Sequence, residues 1–171
     1  MTQKMVILAP FSVDSPYLAG AVRCYVETWK RDWEASYDFF LRYAHYPDFY
    51  GLVALSDGEV VGSGFGTRSL PGQWWHDVVA AHAGAEHPAL QDAWVLVELE
   101  VLKAYRGYGT GTRLHNALLA GQPCPRALLS TEVANRGARR LYERLGWHYL
   151  HPGFRFNEGQ EPYVVMHKEL A

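Results

Sequence analysis

The sequence predicts a mixed α/β protein in which a twisted, largely antiparallel sheet is flanked by helices. Three observations carry that expectation. Apolar runs of strand length alternate with stretches of helical period along the chain. Two strand patterns meet at Ser56-Asp57-Gly58, where Asp-Gly is a hairpin turn. The run AWVLVELEVL at residues 93–102 passes through a glycine-rich turn into a helical pattern at Leu114, Ala117 and Leu118.

In chain order, residues 5–9 (MVILA) read as a first, buried strand. Asp14-Ser15-Pro16 then starts a helix, with Asp or Ser as its cap and Pro tolerated in the first turn. Leu18, Val22, Tyr25, Val26 and Trp29 recur at helical spacing, and Trp33, Tyr37, Phe40, Leu41 and Ala44 continue it. Two helices, or one kinked near Arg31-Asp32, therefore end before Pro47. Residues 49–55 and 59–67 form an antiparallel pair. Gly62, Gly64 and Gly66 alternate along its second strand, so one face carries no side chains and a ligand or a helix can approach closely. Residues 70–90, with Trp74, Trp75, Val78, Val79 and His82, make a short helix or ordered insertion. After the central strand a helix spans about residues 109–120, and residues 126–132 (RALLSTE) form another apolar strand. A helix over 135–145 follows, with Asn135 at or near its cap and Gly146 at its stop. Residues 147–150 and 163–170 supply two last strands around a loop rich in Gly, Pro and Asn.

A chain of 171 residues suits one domain, spanning 1–171. With 49% apolar residues, 20% charged residues and a net charge of −2, it offers no general attraction to nucleic acid or anionic membrane. Cys24 and Cys124 form no ligand cluster or disulfide framework, which points to a reducing cytoplasm. The opening MTQKMVILAP has too short an apolar run for a signal peptide, and no stretch approaches a membrane span. His82 and His87 lack metal-helix spacing, and His148-x-x-His151 has no cysteine or carboxylate nearby, so no metal is expected. Ser130-Thr131 has neither elbow nor base, so no serine or threonine nucleophile is read there.

The organising stretch is residues 105–112, YRGYGTGT. Glycines at 107, 109 and 111 permit a tight turn that brings backbone N–H groups close to an anion, and the following helix adds the positive end of its dipole. The spacing G-x-G-x-G fits neither the dinucleotide fingerprint nor the P-loop. It does contain R-x-x-G-x-G, Arg106 to Gly111, with Val101 five residues earlier. Downstream, Asn135, Ala138, Tyr142, Glu143, Gly146 and Trp147 reproduce N-x-x-A-x-x-x-Y-E-x-x-G-F/W. The two blocks, covering roughly residues 94–150, resemble the GCN5-related N-acetyltransferase (GNAT) superfamily.

That resemblance implies the acyl-CoA N-acyltransferase fold and transfer of an acetyl group from acetyl-CoA to an amine. It implies that pantetheine lies along main-chain groups near Leu99 and Val101, and that Arg106, Gly107, Tyr108, Gly109, Thr110, Gly111 and Thr112 hold the pyrophosphate. The family's matching Asn135 touches pantetheine, and its matching Tyr142 protonates the departing thiolate. Asn135 as a helix cap and Tyr142 as a core aromatic remain open beside those roles. The resemblance does not assign a base. Glu98 and Glu100 stand on the central strand, opposite Val97, Leu99 and Val101; carboxylates in so apolar a strand are costly unless paired or used, which makes both catalytic candidates acting through water. A salt bridge or exposure at the strand end would explain them equally well.

The expected enzyme is a cytoplasmic N-acetyltransferase using acetyl-CoA, without metal, through a ternary complex with a small-molecule or peptide amine. A homodimer is left open, because the aromatic residues of the helical region and of Trp74-Trp75 suit an acceptor pocket, a core or an interface. The alternatives are a non-catalytic acyl-CoA sensor, an acyltransferase for longer acyl chains, and a nucleotide- or NAD-binding module with a largely parallel sheet.

Overall fold

The computed structural model describes residues 5–170; residues 1–4 and 171, which the 1–171 domain and the N-terminal reading include, lie outside the described residues. The elements are β1 (Ile7–Phe11), α1 (Leu18–Trp29), α2 (Trp33–Ala44), β2 (Tyr50–Ser56), β3 (Glu59–Ser69), α3 (Trp74–Ala83) and β4 (Ala93–Val101). They continue with α4 (Thr110–Leu119), β5 (Arg126–Glu132), α5 (Arg136–Arg144), β6 (His148–Phe154) and β7 (Tyr163–Glu169). The strand order is β1-β2-β3-β4-β5-β7-β6. The pairs β1/β2, β2/β3, β5/β7 and β6/β7 are antiparallel and β4/β5 is parallel, the mixed and largely antiparallel sheet expected. The described residues form two compact units, 5–67 with Leu96–Gln122, and Arg68–Val95 with 123–170.

In the first unit, β1 begins two residues later than the expected 5–9 strand, and it is not wholly buried: Ile7 is 59% exposed, Phe11 lies in the core and Ala9, half-buried, packs against it. It is an edge strand that, among the described residues, pairs with β2 alone, and its Ile7 side chain stands in water. The helix expected at Asp14-Ser15-Pro16 starts at Leu18, because Ser15 Oγ accepts the Tyr17 N–H and closes a turn ahead of it. Lys30 then enters the left-handed region at φ 52°, and Asp32 accepts the Ala35 N–H as the cap of α2. The helical region is therefore two helices. Asp57 (φ 50°) and Gly58 (φ 80°) form the two-residue turn between β2 and β3.

Most aromatic side chains of α1 and α2 are core: Phe40 sits 4.9 Å from Phe65, with Tyr25, Phe39 and Tyr43 packed around them. Trp29 and Trp33 stay 40% and 43% exposed. A Cβ on Gly62 or Gly64 would lie 3.0 Å from the carbonyl oxygen of Glu100 or Glu98, and a Cβ on Gly64 would also lie 2.7 Å from Leu118 of α4. At these two positions the bare face of β3 serves close packing of β4 and α4.

In the second unit, Ala93–Val95 pair with Arg126–Leu128, and β5, β7 and β6 follow in antiparallel register. The registered parallel pairing ends at Val95 and Leu128, although β4 runs on to Val101 and β5 to Glu132. The 70–90 insertion is α3 followed by a 3₁₀ turn, Pro88–Leu90. His82 stacks on Phe154 at 3.9 Å, Phe156 contacts both Trp74 and Trp75, and Trp75 Nε1 donates to Ser130 Oγ.

Candidate active site

Strand β4 alternates its side chains between two environments. Val101 approaches Gly111 at the start of α4, with Leu99 beside Gly64 on the same face. Glu98 and Glu100 turn to the opposite face, toward α1 and α2. Glu100 is buried, 4% exposed, and its Oε1 accepts a 2.8 Å hydrogen bond from Ser63 Oγ of β3. Its Oε2 is shut off from solvent and has no partner at hydrogen-bond geometry, while the Trp29 indole and the Glu98 carboxyl are polar neighbours of the carboxyl as a whole.

Burial pushes the Glu100 carboxyl up to about 8, against the opposing pull of Ser63, Glu98 and Trp29. The half-buried Glu98 is raised well above the ordinary carboxylate range, first by burial and then by the charge of Glu100, with Arg31 pulling the other way. Two carboxyls this close ionise as a pair, holding a proton at pH values where free glutamate has none. Burial also pushes the Tyr43 phenol up to about 12, with Tyr46 adding to it, Arg42 opposing and Glu98 adding further. Cys24, buried beside Glu100, is likewise raised to about 12, so its thiol stays protonated, and its Sγ donates to the Val60 carbonyl.

Beyond β4 the chain makes a 3₁₀ turn, Lys103–Tyr105, and then the glycine loop. Gly107 (φ 85°) and Gly109 (φ 80°) are left-handed, and the space where their Cβ atoms would stand is open. Gly109 caps α4 with no side-chain hydrogen bond, and the first turn carries no acidic residue, an arrangement suited to receiving an anion on its N–H groups. Arg106 folds back, its Nε donating to the Val101 carbonyl at 2.7 Å. Tyr108 is 54% exposed and Thr110 is buried. The first unit thus brings together Glu98, Leu99, Glu100, Val101 and residues 106–112.

Asn135 and Tyr142 belong to the second unit. Asn135 Oδ1 accepts the Ala138 N–H at 3.1 Å, so the capping role read from the sequence is occupied. Tyr142 is 9% exposed, its ring 5.9 Å from that of Trp147 in an edge arrangement.

Sequence reasoning missed Ser63, Trp29, Arg31 and Tyr43 as neighbours of the carboxyl pair. Alternation along β3 does set Ser63 opposite the glycines, but no local signal couples it to a strand about forty residues away in sequence, past an inserted helix. Among the described residues, no group of three His, Cys, Asp or Glu side chains is placed to hold a metal ion, and no helix is long and apolar enough to cross a membrane.

The chain resembles a GCN5-like protein acetyltransferase, Rv2170, of Mycobacterium tuberculosis H37Rv, at 32% identity over 126 residues that cover 68% of this chain and 61% of that relative. Among solved structures, a GNAT-family protein of Desulfovibrio desulfuricans superposes with a TM-score of 0.70 at 14% identity, covering 98% of this chain and 100% of the other. Aminoglycoside 6'-acetyltransferase type Ii superposes at 0.69 with 20% identity over 95% and 96% of the two chains. The NatC complex bound to Gag peptide and CoA gives 0.69 with 15% identity over 97% and 99%. These structures share the fold. The profile of the acetyltransferase (GNAT) family matches residues 17–147, most of the chain and both sequence blocks, and the chain belongs to that family.

Proposed function

We propose that the protein is an N-acetyltransferase that transfers an acetyl group from acetyl-CoA directly to an amine on a small molecule or peptide. The observation that carries this reading is a carboxyl pair, half-buried Glu98 and buried Glu100, on the same strand that leads into a glycine-lined helix N-terminus with no side-chain cap. In this reading the base and the anion cradle belong to one compact unit, which supports their acting on one ligand.

The residues present fit acetyl-CoA. The open Cβ spaces at Gly107 and Gly109 and the N–H groups of the first turn of α4 suit a pyrophosphate. Arg106 to Thr112 hold it in this reading, main-chain groups at Leu99 and Val101 take the pantetheine, and Asn135 contacts the pantetheine as in the family. When bound, acetyl-CoA supplies the acyl group already activated as a thioester. Glu98 and Glu100 act together as the base: Glu98 is the more exposed member and Glu100 the buried one, and a proton leaving the acceptor nitrogen passes to the pair. An apparent value near 8 places that base close to working pH, where general-base catalysis is most effective. Tyr142, carried over from the family motif, gives its proton to the departing sulfur.

The test begins with calorimetric titration of acetyl-CoA, CoA and NAD into the protein and into Arg106→Glu and Gly109→Trp variants. Thiol release is then followed across an amine panel containing aminoglycosides, polyamines, amino acids and peptides. Binding of the CoA compounds alone, lost in both variants, with turnover lost in Glu100→Gln, is the expected result. Absence of CoA binding by the unmodified protein would overturn the reading.

A further inference from the structure

Ser63 lies on β3 between Gly62 and Gly64, is fully buried, and sends its hydroxyl toward α1 and the Glu100 carboxyl. Two acceptors compete for its single proton: Glu100 Oε1 at 2.8 Å and the Ala21 carbonyl at 3.5 Å, the outer limit of a hydrogen bond. The shorter contact wins. The Ala21 carbonyl lies inside a helix, so it gains little from a second donor, whereas Glu100 Oε1 would be left without one. An alanine at this position would pack equally well and leave a deeply buried carboxyl with two unpartnered oxygens.

Resting on the proposed base role of the carboxyl pair, we infer that Ser63 is the positioning residue of that base, anchoring Glu100 Oε1 so that Oε2 alone is left to accept the proton. Oε2 is the buried oxygen with no hydrogen-bond partner. A carboxyl tethered at one oxygen is held against rotation, so a proton that reaches the pair through the more exposed Glu98 finds Oε2 free to take it. The hydroxyl also favours the ionised form, so it tunes the group as well as aiming it.

The other groups facing the pair are accounted for. Glu98 on the same strand shares the proton with Glu100, and Arg31 of the α1–α2 turn favours ionised Glu98. From α1 come the Trp29 indole, which favours ionised Glu100, and Cys24, whose thiol remains neutral. Arg23 and Glu27 act on Cys24 with opposite signs and lie 4.0 Å from each other at the surface. From α2 and just beyond come Tyr43, Arg42 and Tyr46, of which Tyr43 is held neutral by burial. Ser63 is the only one of these with a hydrogen bond of ordinary length to Glu100.

The experiment labels the protein with glutamate carrying ¹³C at Cδ, assigns Glu98 and Glu100 with Glu98→Gln and Glu100→Gln, and titrates both carboxyls by NMR. This needs no acceptor. In Ser63→Ala the Glu100 midpoint is expected to rise by about one pH unit, the size of one hydrogen bond to a charged group. The acid limb of kcat/KM for the best amine of the panel should rise with it, the KM for acetyl-CoA staying unchanged. Ser63→Cys, which keeps the size with a weaker donor, should give an intermediate midpoint and serves if the alanine variant does not fold. An unmoved midpoint overturns the inference whatever the base proves to be. A moved midpoint with an unmoved limb also overturns it. In that case full activity in Glu100→Gln shows that the base reading has failed too, and loss of activity shows that it stands.

Discussion

Arg106 donates its Nε–H to the carbonyl of Val101, 2.7 Å away, so the arginine of the glycine motif ties the loop back to the end of the strand it leaves. The guanidinium therefore braces the glycine loop, and under the proposed function it is also a cation beside the pyrophosphate, two roles its planar fork can serve at once. Arg106→Ala should weaken acetyl-CoA binding about tenfold, near the lower end for a charged hydrogen bond, with a melting temperature lower by a few degrees. Arg106→Lys keeps the charge but loses the fork, and calorimetry should show it recovering only part of the affinity. Full recovery would reduce Arg106 to a point charge.

A methyl group at Gly64 would stand 2.7 Å from Leu118 Cδ1 and 3.0 Å from the Glu98 carbonyl oxygen. Leu118 can turn aside, but the backbone oxygen cannot. Gly64→Ala should therefore cost about 1–3 kcal/mol in urea denaturation, as overpacking does. Because the strain falls on the strand bearing Glu98 and Glu100, kcat should fall more than stability alone explains. Unchanged stability would mean that β4 yields freely at this point.

Asn135 is engaged as the cap of α5, and the family motif also gives it a ligand role. The two separate by substitution. Asn135→Asp keeps an acceptor for the Ala138 N–H, so thermal unfolding should be almost unchanged, while Asn135→Ala should lose about 1 kcal/mol. If both variants bind acetyl-CoA more weakly, the amide N–H₂ matters to the ligand; if only the alanine variant does, Asn135 is a cap and nothing more.

The folded-state value of Glu100 is raised to about 8, above that of an unfolded glutamate. The sign follows from proton counting. Between those two values the folded state binds the proton and the unfolded state does not, so this contribution is complete below the unfolded value and is lost as pH rises through about 8. Glu98, raised in the same direction, adds to the trend. Stability measured by denaturant should therefore fall from mildly acid to mildly alkaline pH by on the order of a few kcal/mol. Glu100→Gln should flatten that slope and be the more stable protein at alkaline pH. A slope unchanged in the variant would place the titration elsewhere.

Much of the fold was legible because its signals are local. Asp57-Gly58 specified a two-residue hairpin, and both residues take positive φ. The strand at 126–132 matches β5 residue for residue, since its apolar run is bounded by a loop and a helix cap. The misjudged points are those where neighbours decide. Residues 5–9 have the composition of a buried strand, yet the chain enters at a sheet edge where Ile7 stands in water. The start of α1 moved past Pro16 because a serine turn took precedence over a cap.

By itself the sequence determined the mixed α/β class, the glycine turn ahead of α4 and the family, since turn chemistry, periodicity and motif spacing are properties of adjacent residues. It also named Glu98 and Glu100, because two carboxylates in an apolar strand are conspicuous without any structure. Only the tertiary structure decided that Glu100 is buried against Ser63, and that the bare face of β3 is filled by β4 and Leu118. It likewise decided that Arg106 turns back onto Val101. Desolvation and hydrogen bonding depend on which distant segments meet, and that is set by packing rather than by order along the chain.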